Sequence, residues 1–161
     1  MKNLTVKKTI VVTCFFMLFA NSIANAQQII KTAETTPAYL KILCAMSDIK
    51  VLEIKENYIK INNSIDIFID LDAQNNYLLL NSSYLLSTKA TPKMALELVN
   101  RINSEVVYIR ANYNESKNAI EYSYYFWIKD GFVDSSLISA IEMYKTALNY
   151  SLGKDKDLLI Q

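Results

Sequence analysis

Two threonine-proline pairs mark the boundaries of the segment that most constrains the fold. Thr36-Pro37 and Thr91-Pro92 match helix starts, because the threonine side chain accepts a hydrogen bond from an unpaired amide. Proline at the first helical position lacks only a donor that would have no partner there. Between the pairs, from Val51 onward, apolar and polar residues alternate, which is typical of half-buried strands. The chain is therefore predicted to combine helices with a sheet.

Three helices are expected. The first is predicted over Pro37–Met46, with Tyr39, Leu43 and Met46 on one face, and the second over Pro92 to about Ser104. The third carries apolar residues at spacings of four, three and four, namely Leu137, Ile141, Tyr144 and Leu148.

The ends of the third helix carry their own signals. Asp134 or Ser135 is expected to cap its start, and Gly153 is expected to end it in a left-handed conformation.

The strands fall into two groups. In the first, Val51–Lys55 predicts one strand. The second begins at Ile59–Ile61 and includes Ser64–Asp72, which alternates clearly, and Tyr77–Asn81 is the third.

The second group is a hairpin of Val106–Tyr113 and Ala119–Lys129. The predicted order is α-β-β-β-α-β-β-α, an α+β fold in which helices cover an antiparallel sheet.

The start of the chain predicts export. Met1–Lys8 contains three lysines and no acid, Thr9–Ala20 is apolar, and Ala24-Asn25-Ala26 has small residues where a signal peptidase reads. The apolar run is shorter than the roughly 20 residues that span a bilayer. We therefore expect a signal peptide over residues 1–26, cleavage after Ala26, a periplasmic or secreted protein, and no membrane insertion once the leader is removed.

The remaining chain predicts a lead-in over residues 27–35, one domain over 36–153 and a short tail over 154–161, in which Lys154–Asp157 is expected to be solvated. Without Lys2, Lys7 and Lys8, the 17 basic residues fall to 14 against 16 acidic ones, so no nucleic acid partner is expected. Cys44 is the only cysteine left, which excludes an intramolecular disulfide and favours a buried thiol.

Catalytic signatures are absent. The chain has no histidine, which removes the commonest general base and zinc ligand. Its only glycines are Gly131 and Gly153, so no glycine-rich phosphate loop can form. We expect a non-enzymatic protein without a cofactor.

Asp66, Asp70 and Asp72 are the candidate metal ligands. Alternate strand positions would place them on one face, where Asp70 and Asp72 would lie about 7 Å apart, a spacing that suits Ca²⁺ or Mg²⁺. A strand with a solvated face explains the same pattern and is the favoured interpretation.

The aromatic strand predicts a candidate protein-binding surface. Alternation places Tyr125 and Trp127 on the face away from the helices, where Tyr108 and Arg110 of the neighbouring strand join them. Tyrosine, tryptophan and arginine dominate binding hot spots. Two interpretations stay open: the face binds a protein partner, or the tail, the lead-in or a second copy in a homodimer covers it. The inward-facing set is Ile120, Tyr122, Tyr124, Phe126 and Ile128.

The second half of the chain resembles a known family. The stretch Leu96–Asn103, with Asn100 and Asn103, precedes a hairpin, a break at Asp130-Gly131 and a closing helix. This arrangement resembles the YbjN family of candidate sensory transduction regulators in bacteria, whose fold is similar to that of type III secretion chaperones. The resemblance implies a non-enzymatic regulatory or protein-binding domain without catalytic residues.

Three functions follow as hypotheses. The first is an exported regulatory domain that binds a protein partner through the aromatic face. The second is a dedicated chaperone or inhibitor of one secreted or periplasmic partner. The third is a cation-dependent module built on the three aspartates.

Overall fold

Six strands form one antiparallel sheet in the order β1-β2-β3-β4-β6-β5. The computed structural model describes residues 28–161, so the predicted signal peptide lies outside the described residues. The strands are β1 (Lys50–Ile54), β2 (Tyr58–Asn62), β3 (Asp66–Leu71), β4 (Tyr77–Leu85), β5 (Arg110–Asn114) and β6 (Ala119–Trp127). The helices are α1 (Pro37–Met46), α2 (Pro92–Glu105) and α3 (Asp134–Leu152), and a short 3₁₀ turn spans Thr32–Glu34.

The α+β class and the antiparallel sheet are confirmed, and the sheet gains one strand over the predicted order. The alternating segment is divided into β2 and β3 by a turn at Asn63 and Ser64. Ser64 has a φ of 66°, and the amide of Asn63 donates to the carbonyl of Ile65 at 3.0 Å. A left-handed residue reverses the chain there, so two hydrogen-bonded strands replace one.

The helix starts follow the threonine signals only for α1 and α2. Thr36 accepts a hydrogen bond from the amide of Tyr39 at 3.1 Å, and Thr91 accepts one from the amide of Met94 at 3.3 Å.

The end signals predicted for α3 are wrong at both termini. Val133 occupies the cap position, and its side chain has no atom that could accept a hydrogen bond. Asp134 lies in the first turn instead, where its carboxylate accepts a hydrogen bond from the Tyr39 hydroxyl. Gly153 is right-handed, with a φ of −67°, and its amide continues the helical pattern to Asn149.

The core lies between the helices and one face of the sheet. Helix α1 packs on β1 and β2, α2 on β5, and α3 on β6. Met46, predicted on the buried face of α1, is instead 76% exposed, and Cys44 is buried in its place. Burial raises the pKa of the Cys44 thiol to about 11. The sheet residues that are completely buried in this core include Ile59, Ile61, Ile67, Ile69, Leu78, Leu80, Ile120 and Tyr122.

Both ends of the described chain dock on the domain. Ile30 is buried and exchanges two backbone hydrogen bonds with Phe132, at 2.7 and 3.1 Å. The short tail docks beyond its charged segment, since Leu159 is buried and accepts a hydrogen bond from the amide of Ser87, whereas Lys156 and Asp157 are exposed. The carboxylate of Asp155 holds the turn before it. Among residues 28–161, no helix has the length and apolar character needed to cross a membrane.

Candidate binding face

The three helices described within residues 28–161 pack on the side of the sheet that holds the core, and no described helix covers the other side. We call this second side the open face. Strand pairing places Asp70, Leu79 and Tyr125 side by side in one row, and Phe68, Asn81, Ser123 and Arg110 in the next. Directly opposed residues of antiparallel strands point to the same face. The further members of the open face are Tyr58, Lys60, Asn62, Asp66, Tyr77, Ser83, Asn112, Glu121 and Trp127.

One end of the open face is aromatic and exposed. Tyr125 is 54% exposed and Trp127 is 59% exposed, as the alternation of β6 predicts. Tyr77 of β4 lies opposite Trp127, and its ring meets that of Tyr125 edge to face with centroids 5.1 Å apart. Such edge-to-face pairs fix the orientation of both rings. The sheet thus presents a preformed aromatic surface to solvent.

Beside the aromatic end, short side chains leave a shallow polar groove of about 530 Å³. Asn81, Ser83 and Ser123 line it along the middle strands, and Asp70 and Arg110 belong to strands on either side. With three strand spacings between them, the strands β3 and β5 lie about 14 Å apart. The groove therefore has a carboxylate on one side and a guanidinium on the other.

Lys117 and Glu121 also line this groove and are paired with each other at 2.9 Å, whereas Asp70 and Arg110 have other surroundings. Asp70 is half-buried, burial raises the pKa of its carboxyl, and the hydrogen bond from Asn81 at 2.7 Å opposes that rise. Arg110 is exposed and forms no salt bridge with any residue in the range 28–161. The guanidinium can therefore bind an incoming carboxylate or carbonyl without first breaking an ion pair.

Tyr108, predicted to join this face, lies elsewhere. The predicted strand Val106–Tyr113 begins only at Arg110, and Tyr108 has a φ of 65°, so the alternation of a strand does not apply to it. Its ring lines a groove against α3, on the helical side of the sheet. Of the four predicted surface residues, Arg110 and Tyr125 line one groove, Trp127 shares their face, and Tyr108 is separate.

The three candidate cation ligands are each held by a different partner. Asp66 is paired with Lys60 at 2.7 Å, and this hydrogen bond lowers the pKa of its carboxyl. Asp70 accepts from Asn81, and Asp72 accepts two hydrogen bonds from Asn76 within a turn. Within residues 28–161, no three acidic, cysteine or histidine side chains are grouped as a metal would require.

Both edges of the sheet carry features that oppose further strand pairing. At the β5 edge, the side chain of Asn103 accepts from the amide of Ala111 at 2.8 Å and donates to its carbonyl at 3.0 Å. At the β1 edge, the pairing register shifts between Val51 and Glu53, which is a β-bulge. Bulges and side chains that occupy edge groups protect a sheet from extension. The resemblance to the YbjN family singles out Asn103, but only the structure shows what its side chain binds.

The described lead-in and tail leave the aromatic end uncovered. Thr32 donates to the carbonyls of Ile128 and Lys129, which anchors the lead-in just beyond β6. The tail pairs through Ile160 with Leu86, beyond the far end of β4. Within residues 28–161, neither the lead-in nor the tail therefore covers the aromatic end, and a second copy stays a hypothesis.

Comparison with known proteins identifies the fold. No family model and no curated protein matches the chain. The crystal structure of Escherichia coli YbjN, described as a candidate transcription regulator, is similar with a TM-score of 0.70 at 12% identity, over 83% of this chain and 99% of that one. An uncharacterised protein of Methanothermobacter thermautotrophicus is similar with a TM-score of 0.54 at 13% identity, over 77% and 99%. The chain therefore has a YbjN-like fold.

Proposed function

We propose that this protein is an exported, non-enzymatic regulatory domain that binds a protein partner through the open face. The observation that carries the proposal is the pair of exposed rings at Tyr125 and Trp127, on a sheet face that no described helix covers. Large aromatic side chains dominate protein interfaces because they bury much apolar area at little cost in conformational entropy. The YbjN-like fold of a candidate regulator supports the same function class.

The surroundings of these rings support binding by the face over binding by an edge. A partner strand that paired with β5 would have to displace the two hydrogen bonds of Asn103. A partner on the open face instead meets the rings of Tyr77 and Tyr125 and the guanidinium of Arg110, which forms no salt bridge within the described part of the chain. We therefore expect aromatic contacts to supply affinity and Arg110 to orient an acidic or carbonyl group of the partner.

The test is site-specific photocrosslinking in intact cells. A photoreactive amino acid at position 125 or 127 should capture a defined partner in the envelope, and the same probe at Tyr150 should not. Tyr150 is the matched control, because it is a 67% exposed aromatic residue on the helical side of the domain. Identical products from positions 125 and 150 would refute the open face as the binding surface.

The nature of the product separates the remaining alternatives. A crosslinked dimer of this chain would show that a second copy covers the face. A stable complex with a single secreted protein, at a ratio of one to one, would support the chaperone or inhibitor hypothesis.

Export is tested by mass spectrometry of the mature protein. Its first residue should be Gln27, and an intact Met1 would contradict cleavage.

A further inference from the structure

The helical side of the domain has a second groove, separate from the open face. It lies between α3 and the segment that links α2 to β5, and its volume is about 520 Å³. Val107 and Tyr108 form one wall, with exposed fractions of 72% and 59%. Met143 and Tyr150 belong to the wall that α3 forms. Large apolar residues that converge in one concave site indicate a binding groove more than scattered surface residues do.

The wall on α3 is one stripe of the helix. Met143, Ala147 and Tyr150 follow at spacings of four and three, so they lie above one another over about 10 Å. A groove of this volume lies within the range of small-molecule sites, about 300–1000 Å³. Its size and narrow apolar wall therefore suit an extended hydrocarbon chain better than a partner helix.

One end of the groove is positively charged. Glu105, Tyr150 and Lys154 also line an adjoining cavity together with Arg101 and Lys156, so the apolar and basic regions are continuous.

The two acidic residues that line the apolar groove are each paired with a lysine. Glu105 is paired with Lys154 at 2.6 Å, and Glu142 is paired with Lys145 at 2.5 Å. Arg101 donates to the carbonyl of Lys154, and neither Arg101 nor Lys156 forms a salt bridge with any residue in the range 28–161. Two cations at this end are thus free to pair with an anion of a ligand.

The backbone of the linking segment supports a functional role. Tyr108 adopts a left-handed φ of 65°, a conformation that costs energy for a bulky residue and presents its ring to the groove. The acidity of Glu105 agrees with the positive environment: Lys154 chiefly lowers the pKa of its carboxyl, and Arg101 and Lys156 lower it further.

We infer that this groove binds a long-chain carboxylate, with the hydrocarbon chain along Met143 and Tyr150 and the carboxylate between Arg101 and Lys156. Charge complementarity selects the anionic head group, and the apolar walls select a chain without polar substituents. The site is independent of the open face, since Trp127 and Tyr125 lie on the opposite side of the sheet.

Nuclear magnetic resonance of the isotopically labelled domain tests the inference. The probe is dodecanoate below its micelle concentration, and dodecanol serves as the uncharged control of equal chain length. Dodecanoate should shift the amide signals of Val107, Tyr108 and Tyr150 and leave the indole of Trp127 unchanged. It should bind at least tenfold more tightly than dodecanol. Equal affinity for both probes, or shifts centred on Trp127, would overturn the inference.

Two variants distinguish recognition of the carboxylate head group from recognition of the hydrocarbon chain. Arg101→Gln with Lys156→Gln should weaken dodecanoate binding at least tenfold and change dodecanol binding less than twofold. Tyr150→Ala should weaken both. These residues are exposed or partly exposed, so the substitutions should leave the fold intact. The same spectra would show any misfolding. Unchanged dodecanoate binding in the double variant would refute the site. Concentration-dependent shifts at the groove without any probe would identify a second copy as its occupant and also refute it.

Discussion

Asn103 offers the sharpest test of how the sheet edge is held. Its side chain makes two hydrogen bonds with the backbone of Ala111, at 2.8 and 3.0 Å, and both groups of Ala111 lie on the outer edge of β5. At roughly 1 kcal/mol for each bond, Asn103→Ala should lower the free energy of unfolding by about 2 kcal/mol. For a domain of this size, that loss corresponds to a melting temperature lower by about 6–8 °C.

The matched control is Asn100→Ala. Asn100 is exposed one turn earlier on the same helix, so the control carries the same change in helix propensity without the two bonds. Urea unfolding followed by circular dichroism should show a lower midpoint for Asn103→Ala at an unchanged slope. The free energy of unfolding of Asn100→Ala should stay within about 0.5 kcal/mol of the wild-type value. Equal midpoints for the two variants would refute the role of Asn103 at the edge.

Three further predictions concern stability. Tyr122→Phe should be neutral or stabilising by about 1 kcal/mol in urea unfolding, because the buried Tyr122 hydroxyl has no partner among residues 28–161. Tyr144→Phe should instead cost about 1 kcal/mol, because it loses the hydrogen bond to the Tyr122 carbonyl. Gly131→Ala should destabilise the protein by more than about 1 kcal/mol, since φ is +85° and a Cβ would lie 2.9 Å from a backbone oxygen. Gly153→Ala should be tolerated, because Gly153 has a right-handed backbone. Similar unfolding midpoints for the two variants would contradict this contrast. Millimolar Ca²⁺ or Mg²⁺ should leave the melting temperature unchanged, whereas a cation at a hundred times its dissociation constant would add about 2.7 kcal/mol and support the cation-dependent module.

The sequence predicted those elements whose signals are local. Thr36 and Thr91 act through contacts three residues away, so both helix starts could be read from the chain. The alternation of β6 likewise placed Tyr125 and Trp127 on the exposed face, because strand geometry alone decides which side a residue points to.

The errors arose where distant contacts decide the outcome. The cap of α3 failed because Asp134 is engaged by Tyr39, which lies 95 residues away in the chain. Tyr108 left the predicted strand because its φ is positive, and alternation does not signal such a residue in advance. The docked end of the tail was not predicted at all, because it depends on the pairing of Ile160 with Leu86, for which the chain carries no periodic signal.

The central claim is that the open face binds a protein partner, and the fluorescence of Trp127 tests it most directly. Trp127 is the single tryptophan of the chain and lies 59% exposed beside Tyr77 and Tyr125, so its emission reports on this face alone. Titration with the partner captured by crosslinking should shift the emission to shorter wavelength and protect the indole from acrylamide quenching. Saturable binding, seen by calorimetry, with unchanged emission and unchanged quenching would contradict the account.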